Sequence, residues 1–323
     1  MIVLDFYLSV LYNAGPKARE DVNNLLRAKG YEIKKLFFSR KHILKTVLGI
    51  VSLTWQMPMK VKVVVQYPIG TPLATLIILC ILQLKKCYIV LLVHDLESLR
   101  ATGKINKIEQ ENCNRADSII IHTPNMRSVL VDVGVDEKKM KIINVFDYMV
   151  FSTPTPKQLF KTLIAFAGNL DKSPFVHKLK ELNLLFNLYG VYHKDLSMIE
   201  SNTVHYCGKF KPDDLSNLEA SWGLVWDGDS LTTCNGLMGN YQKYNAPHKL
   251  SMYLAAGIPV IVWNLSAERD FIEKHHLGIS IDSLTDLSVK LQNVSENDYI
   301  LMKKNVEYFA LKIQRGYMLE LVM

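Results

Sequence analysis

Short apolar runs alternate with amphipathic stretches along the chain, and the alternation begins twice. Met1–Leu4, Tyr31–Phe37, Val61–Gln66, Ile89–Val93, Ser118–His122 and Ile142–Val145 read as strands, with helical periodicity over Lys17–Lys29, Leu73–Leu84, Lys104–Arg115 and Asn125–Val133. Ile89–Val93 is continuously hydrophobic, the pattern of a strand covered on both faces. The second half restarts with strands at Leu163–Phe166, Leu184–Tyr189, Val204–Tyr206, Gly223–Trp226, Val260–Trp263 and Gly278–Ile281. Helical patterns cover Lys249–Ala256, Ala267–His275, Leu284–Leu291 and Asn297–Met323, and Pro212–Asp214 reads as a further helix start. An α/β fold of two Rossmann-like domains is predicted, 1–152 and 153–323. The boundary falls in the rigid run STPTP within Phe151–Lys157.

Trp222–Asn264 reads strand, polar loop, helix, strand. Such a unit places its loop and the helix N-terminus at the carboxyl edge of a parallel sheet, where open α/β folds bind ligands. Asn245 is a candidate N-cap, Pro247 suits a first turn, and His248 and Lys249 add donors where backbone amides already point outward. An anion such as a diphosphate gains from those amides, the helix dipole and the Lys249 charge. The alternative is an ordinarily capped helix with a solvated lysine; the long polar loop favours the phosphate site.

These residues resemble a known family. WDGDS at Trp226–Ser230, the Gly236 and Gly239 pair, Tyr241, NAPHK at Asn245–Lys249 and LAAGIPVIVW look like the bacterial β-1,6-galactofuranosyltransferases, and more distantly the streptococcal glucosyltransferase 3. AGPKARED at Ala14–Asp21, IVLLVHDLESLR at Ile89–Arg100, FDY at Phe146–Tyr148, AGNLDK at Ala167–Lys172 and FKPDDL at Phe210–Leu215 extend the resemblance over nearly the whole chain. It implies an inverting, metal-independent GT-B glycosyltransferase, with parallel sheets facing a cleft and a terminal helix that returns to the first domain. It also implies a basic side chain against the donor diphosphate at Lys172, where glucosyltransferase 3 has Arg, and an aromatic against uracil at Phe210. WDGDS and NAPHK match the galactofuranosyltransferases more closely than glucosyltransferase 3, which implies UDP-galactofuranose as first donor with UDP-glucose and UDP-galactose next, although Ala246 departs from the second Asn expected in that motif.

On this reading the donor-binding set is Gly168, Asn169, Lys172, Phe210, Asp227, Asp229, Tyr244, Asn245, His248 and Lys249, and Gly15, Lys17 and Arg100 bind acceptor. His94 and Asp95 stand where a parallel strand enters its loop, and an inverting transfer needs a base for the acceptor hydroxyl. Asp95 is the first choice, with the capping of the next helix as its alternative, and the resemblance does not decide between the pair. Asp227 and Asp229 form a DxD, a pattern that can hold a divalent metal. With Lys249, Lys172 and a helix N-terminus already facing the diphosphate, they read instead as sugar-hydroxyl ligands or loop braces.

Composition adds limits. Thirty-eight Lys and Arg against 31 Asp and Glu leave a net charge of +7, suited to a polyanionic ligand or an anionic membrane surface. The charges are dispersed, and no zinc-finger spacing or RNP-like motif points to nucleic acid. No GxGxxG follows a strand, which disfavours a nicotinamide oxidoreductase. Five scattered cysteines without a metal-type pair fit reduced thiols in the cytoplasm. Asp5 interrupts the apolar start, so no signal peptide is expected, and Leu73–Leu84 reads as a buried helix too short to span a bilayer. A lipid-linked acceptor would bring the enzyme to the inner membrane face. The expected partners are a UDP-sugar, a glycan or lipid-linked glycoside and further copies of the chain, with no cofactor. A nucleotide-sugar epimerase and a silent partner subunit are the rivals from other classes.

Overall fold

The computed structural model describes residues 1–6, 14–36, 43–154 and 162–323. Phe37 and the run from 155 to Lys157, which belong to the predicted second strand and the predicted boundary, lie outside them. Two compact units result, Met1–Ile143 with Leu321–Met323, and Asn144–Glu320.

In the first unit β1 (Ile2–Phe6), β2 (Glu32–Leu36), β3 (Lys62–Tyr67), β4 (Tyr88–Val93), β5 (Ser118–Ile121) and β6 (Met140–Ile142) form a parallel sheet. Their order is β2-β1-β3-β4-β5-β6. Helices α1 (Ala14–Ala28), α2 (Ile43–Gln56), α3 (Pro72–Leu84), α4 (Glu97–Thr102), α5 (Lys107–Arg115) and α6 (Pro124–Asp132) alternate with the strands. Side-chain caps set several starts: Thr71 accepts from the Ala74 amide, Thr123 from Met126 and Asn106 from Glu109. The Asn106 cap explains why α5 begins at Lys107 rather than Lys104. Helix α3 is half-buried, with Ile78, Leu79 and Leu82 inside and Leu73 and Leu84 exposed. No helix among the described residues is long and apolar enough to cross a membrane.

The second unit repeats the architecture with β7 (Leu163–Asn169), β8 (Leu185–Val191), β9 (Val204–Tyr206), β10 (Trp222–Val225), β11 (Val260–Trp263) and β12 (Gly278–Ile281). The order β12-β11-β10-β7-β8-β9 is all parallel and reverses direction between β7 and β10. Its helices are α7 (Gly236–Tyr241), α8 (His248–Ala255), α9 (Arg269–Lys274), α10 (Leu287–Asn293), α11 (Glu296–Ile313) and the start of α12 (Tyr317–Val322), whose end from Leu321 belongs to the first unit. Phe166, Phe175, Phe186, Trp222 and Trp226 are fully buried in one core cluster, each stabilising the unit by roughly 1.5–3 kcal/mol or more. In the pairing of β7 with β8, Gly168 faces Gly190. A Cβ on Gly190, at φ +136°, would lie 1.7 Å from the Gly168 carbonyl oxygen.

Two predicted helices change. Pro212–Asp214 starts none, because the Asp214 carboxylate accepts from Ser152, from the Ser216 hydroxyl and from the Ser216 amide, folding the backbone into a turn. The terminal helix breaks at Gly316, φ +85°. Asp147 then starts α12 anew by accepting from the Met318 and Leu319 amides.

Candidate active site

The reversal between β7 and β10 is a topological switch point, the place where an open parallel sheet leaves a crevice at its carboxyl edge. Helix α8 is fastened there from both sides. The Tyr253 hydroxyl accepts from the Ala167 amide at 2.7 Å and donates to the Ala165 carbonyl at 3.1 Å, both on β7. Gly223 on β10 makes room for the Tyr253 ring, since a Cβ there would come within 2.2 Å of it. At the other end of α8, Lys249 Nζ donates to the Trp226 carbonyl and to Asp227 Oδ1, each at 3.0 Å, and stands 4.7 Å above the Phe166 ring.

Lys249 and Asp227 are thus brought together, with about 15% of each side chain exposed. Gln242 holds the other Asp227 oxygen at 2.9 Å. An ammonium has three donors, and these two oxygens take two of them. Asp229 is turned elsewhere: Asn235 donates to its carboxylate at 2.5 Å and accepts from its amide at 2.9 Å. The DxD carboxylates therefore diverge into separate braces of the loop. Among the described residues no group of three His, Cys, Asp or Glu side chains is placed to hold a metal ion.

The expected Asn245 cap does not form. Helix α8 starts at His248 with Pro247 as its cap residue, in extended conformation and with no side-chain hydrogen bond to offer, because two residues separate Asn245 from the first helical turn. Asn245 Oδ1 is instead buried without a hydrogen-bond partner among the described residues. His248 packs its ring 4.8 Å from Tyr148 and 6.4 Å from Phe146, which gives the FDY motif a place beside α8. Tyr244 is partly buried in the turn before it. Gly168 and Asn169 end β7, and Asn169 Oδ1 accepts from the Lys172 amide at 3.2 Å, leaving the Lys172 side chain exposed just beyond the strand. Phe210 follows β9 and meets Tyr189 edge-on at 5.5 Å.

One residue here escaped the sequence. Glu268, at the start of α9 beyond β11, is 1% exposed, and neither carboxylate oxygen has a hydrogen-bond partner among the described residues. Burial raises its pKa well above the usual carboxylate range. Ser266 Oγ, two residues before it, is likewise buried and unpartnered. A neighbouring link, Ala267 amide to Gln242 carbonyl at 2.9 Å, ties this segment to the residue that braces Asp227.

In the first unit His94 follows β4, its amide donating to the Tyr67 carbonyl at 2.9 Å and its Nε2 lying 2.7 Å from Gln66 Oε1. Asp95 and Arg100 are brought together as an ion pair at 2.6 Å, while the backbone cap of α4 is Leu96. Lys17 pairs with Asp21 one turn along α1 at 2.6 Å, and Gly15 lies in the same helix.

Sheets of this topology in both halves mark the class. Anabaena HepE, solved with UDP and glucose, matches over 99% of this chain and 98% of its own with a TM-score of 0.60 at 12% identity, so the fold is that of the GT-B glycosyltransferases. Residues 1–145 match the N-terminal domain and residues 164–323 the C-terminal domain of the glucosyltransferase 3-like proteins. The β-1,6-galactofuranosyltransferase WbbI of Escherichia coli K12 is 30% identical over 72% of this chain and 69% of its own. Glucosyltransferase 3 of Streptococcus parasanguinis is 29% identical over 73% and 69%. The chain belongs to this glucosyltransferase 3-like family of glycosyltransferases.

Proposed function

We propose that the protein transfers a hexose, with inversion, from a UDP-sugar to a hydroxyl of a glycan acceptor, and that UDP-galactofuranose is its first donor. The choice of sugar is supported by the 30% identity to a β-1,6-galactofuranosyltransferase and by the WDGDS and NAPHK motifs. The observation that carries the donor reading is Glu268. A buried carboxyl without a protein partner at the carboxyl edge of a sheet is costly unless a ligand completes it, and two oxygens side by side suit the vicinal hydroxyls of a ribose. The diphosphate then meets the third N–H of Lys249, the amides at the start of α8 and the exposed Lys172, a charge balance that requires no metal ion. His248, Tyr244 and Asn245 line the same turn, Phe210 offers a face to the base, and the loop braced by Asp227 and Asp229 receives the sugar. Acceptor recognition falls to Gly15, Lys17 and Arg100, and the base comes from the His94–Asp95 pair. Working in the cytoplasm, the enzyme would meet a lipid-linked acceptor at the membrane's inner face.

Calorimetric titration of UDP and of UDP-galactofuranose, UDP-glucose and UDP-galactose in metal-free buffer tests this. UDP is expected to bind wild type, and Lys249→Ala and Glu268→Met each to weaken it about tenfold to hundredfold. Binding that ignores both substitutions, or that requires a divalent ion, overturns the donor site. The tightest sugar names the donor for transfer assays.

A further inference from the structure

Helix α2 is built inside out. Thr46 and Thr54 are buried, the Thr54 hydroxyl donating to the Ile50 carbonyl at 2.6 Å, while Leu48, Val51 and Trp55 stand on the outer face at helical spacing. Leu48 is 60% and Trp55 63% exposed. A surface helix in water turns its apolar stripe to the core and its polar residues outward. Helix α3 lies against α2 and has the same character: PLATLIILCILQL holds no charged residue, and Leu73 and Leu84 are exposed.

The two helices end together. The Lys60 amide donates to the Lys85 carbonyl at 3.0 Å and the Cys87 thiol to the Pro58 carbonyl at 3.7 Å, which fixes the chain after α2 beside the chain after α3. Lys85 Nζ stands 5.5 Å from the centre of the Trp55 ring, and Lys60 and Lys86, its neighbours in that pairing, are exposed. Charge along this stretch has one sign. From Ile33 to His94 the chain carries nine Lys and Arg and no Asp or Glu, more positive charge than the whole protein's net +7.

Seated against a copy of itself, the face would bury its apolar residues but bring no acidic group from this stretch to its lysines. A bilayer interface complements both halves of the pattern: acyl chains take up Leu and Val, an amphipathic indole sits at headgroup level, and lysines reach anionic phosphates. We propose that the outer face of α2 and α3 docks the protein on an anionic phospholipid bilayer, with Leu48, Val51 and Trp55 at the acyl boundary and Lys60, Lys85 and Lys86 on headgroup phosphates. With 14 residues α2 is about 21 Å long, short of the ~30 Å hydrocarbon core, so it lies along the surface. Both helices run from the carboxyl edge of the first sheet back to its amino edge, so the docked face stands beside the edge that carries His94 and Asp95. That a lipid-linked acceptor is met there rests on the transfer reading above; the docking surface does not.

Tryptophan emission of the full chain tests the surface without any variant. Of the four tryptophans Trp222, Trp226 and Trp263 are buried, so a change on adding vesicles reports Trp55. Vesicles of phosphatidylcholine and phosphatidylglycerol should shift the emission to the blue and shield it from acrylamide, and pure phosphatidylcholine should do so far less. In co-sedimentation Trp55→Ser should weaken vesicle binding about tenfold. Lys60→Gln, Lys85→Gln and Lys86→Gln together should weaken it about a hundredfold, at roughly fivefold for each lysine. Leu311→Ser, at a similarly exposed position on α11, should bind vesicles as wild type does. Unchanged emission, binding that ignores Trp55→Ser, or equal binding to neutral vesicles overturns the proposal. So does a lipid-free dimer in ultracentrifugation that Trp55→Ser dissociates, since the face then belongs to a second copy. Neither readout uses a nucleotide, so a failed UDP titration and a failed vesicle titration are separate results.

Discussion

The two sheets end alike and treat their buried polar groups in opposite ways. At the first switch point Asp5, Arg19, Asn23, Gln66 and His94 bond to one another in a continuous series. At the second, Asn245 Oδ1, Ser266 Oγ and both oxygens of Glu268 lie buried without a hydrogen bond from any described residue. A closed network contributes order before any substrate arrives, whereas unsatisfied groups store an interaction that only a ligand releases. The difference separates a region whose buried polar groups are already paired from one whose buried polar groups are not.

The sharpest way to break this contrast is to cut each side once. Asp5→Ala strands a buried guanidinium and should cost about 3–5 kcal/mol in urea unfolding. Glu268→Met removes an unpaired carboxyl and should leave the ligand-free protein as stable as wild type or more so, while weakening UDP. If both variants lose stability equally, the second site is as closed as the first.

The response to pH should separate the halves next. His122 in the first unit is buried with Nε2 donating to the Val93 carbonyl at 2.9 Å, and burial pushes its pKa down to about 4 from 6.5. Above 6.5 both folded and unfolded chains hold it neutral. As pH falls toward 4, the unfolded chain takes up a proton that the buried ring refuses, and stability drops by about 3 kcal/mol. Glu268 acts in the other direction. Below the ordinary carboxylate range both states keep its proton; as pH rises through that range only the unfolded chain releases it, so stability falls toward the raised folded value. Urea midpoints across pH should lose their acid arm in His122→Asn and their alkaline arm in Glu268→Met.

The smallest effect belongs to the Asp95–Arg100 pair. With roughly a third of each side chain exposed, Arg100→Ala should change stability by less than about 1 kcal/mol. A fall in transfer rate far beyond that cost would assign Arg100 to the acceptor.

The sequence made the sheets legible because both faces of each strand are covered, and continuous Val, Ile and Leu survive any uncertainty in helix ends. The polar loop before α8 was legible for the same reason, as a long gap between two such strands. Glu268 was not, since Ala267–His275 reads as an ordinary helix and nothing in one dimension says that its first turn is buried. The His94 network left a fainter mark. IVLDF and KVVVQY each carry a single polar residue near the end of an apolar strand. Only the pairing of β1 with β3 shows that Asp5 and Gln66 are neighbours, and that Asn23, one of several polar residues on α1, faces them.

The bare backbone of Gly190 has one more effect. Any side chain at Gly190 would bring its first carbon onto the Gly168 carbonyl oxygen, so β8 passes this close to the end of β7 only because its backbone is bare there. The place of the turn that carries Lys172 is therefore held by a residue of the neighbouring strand that has no side chain at all.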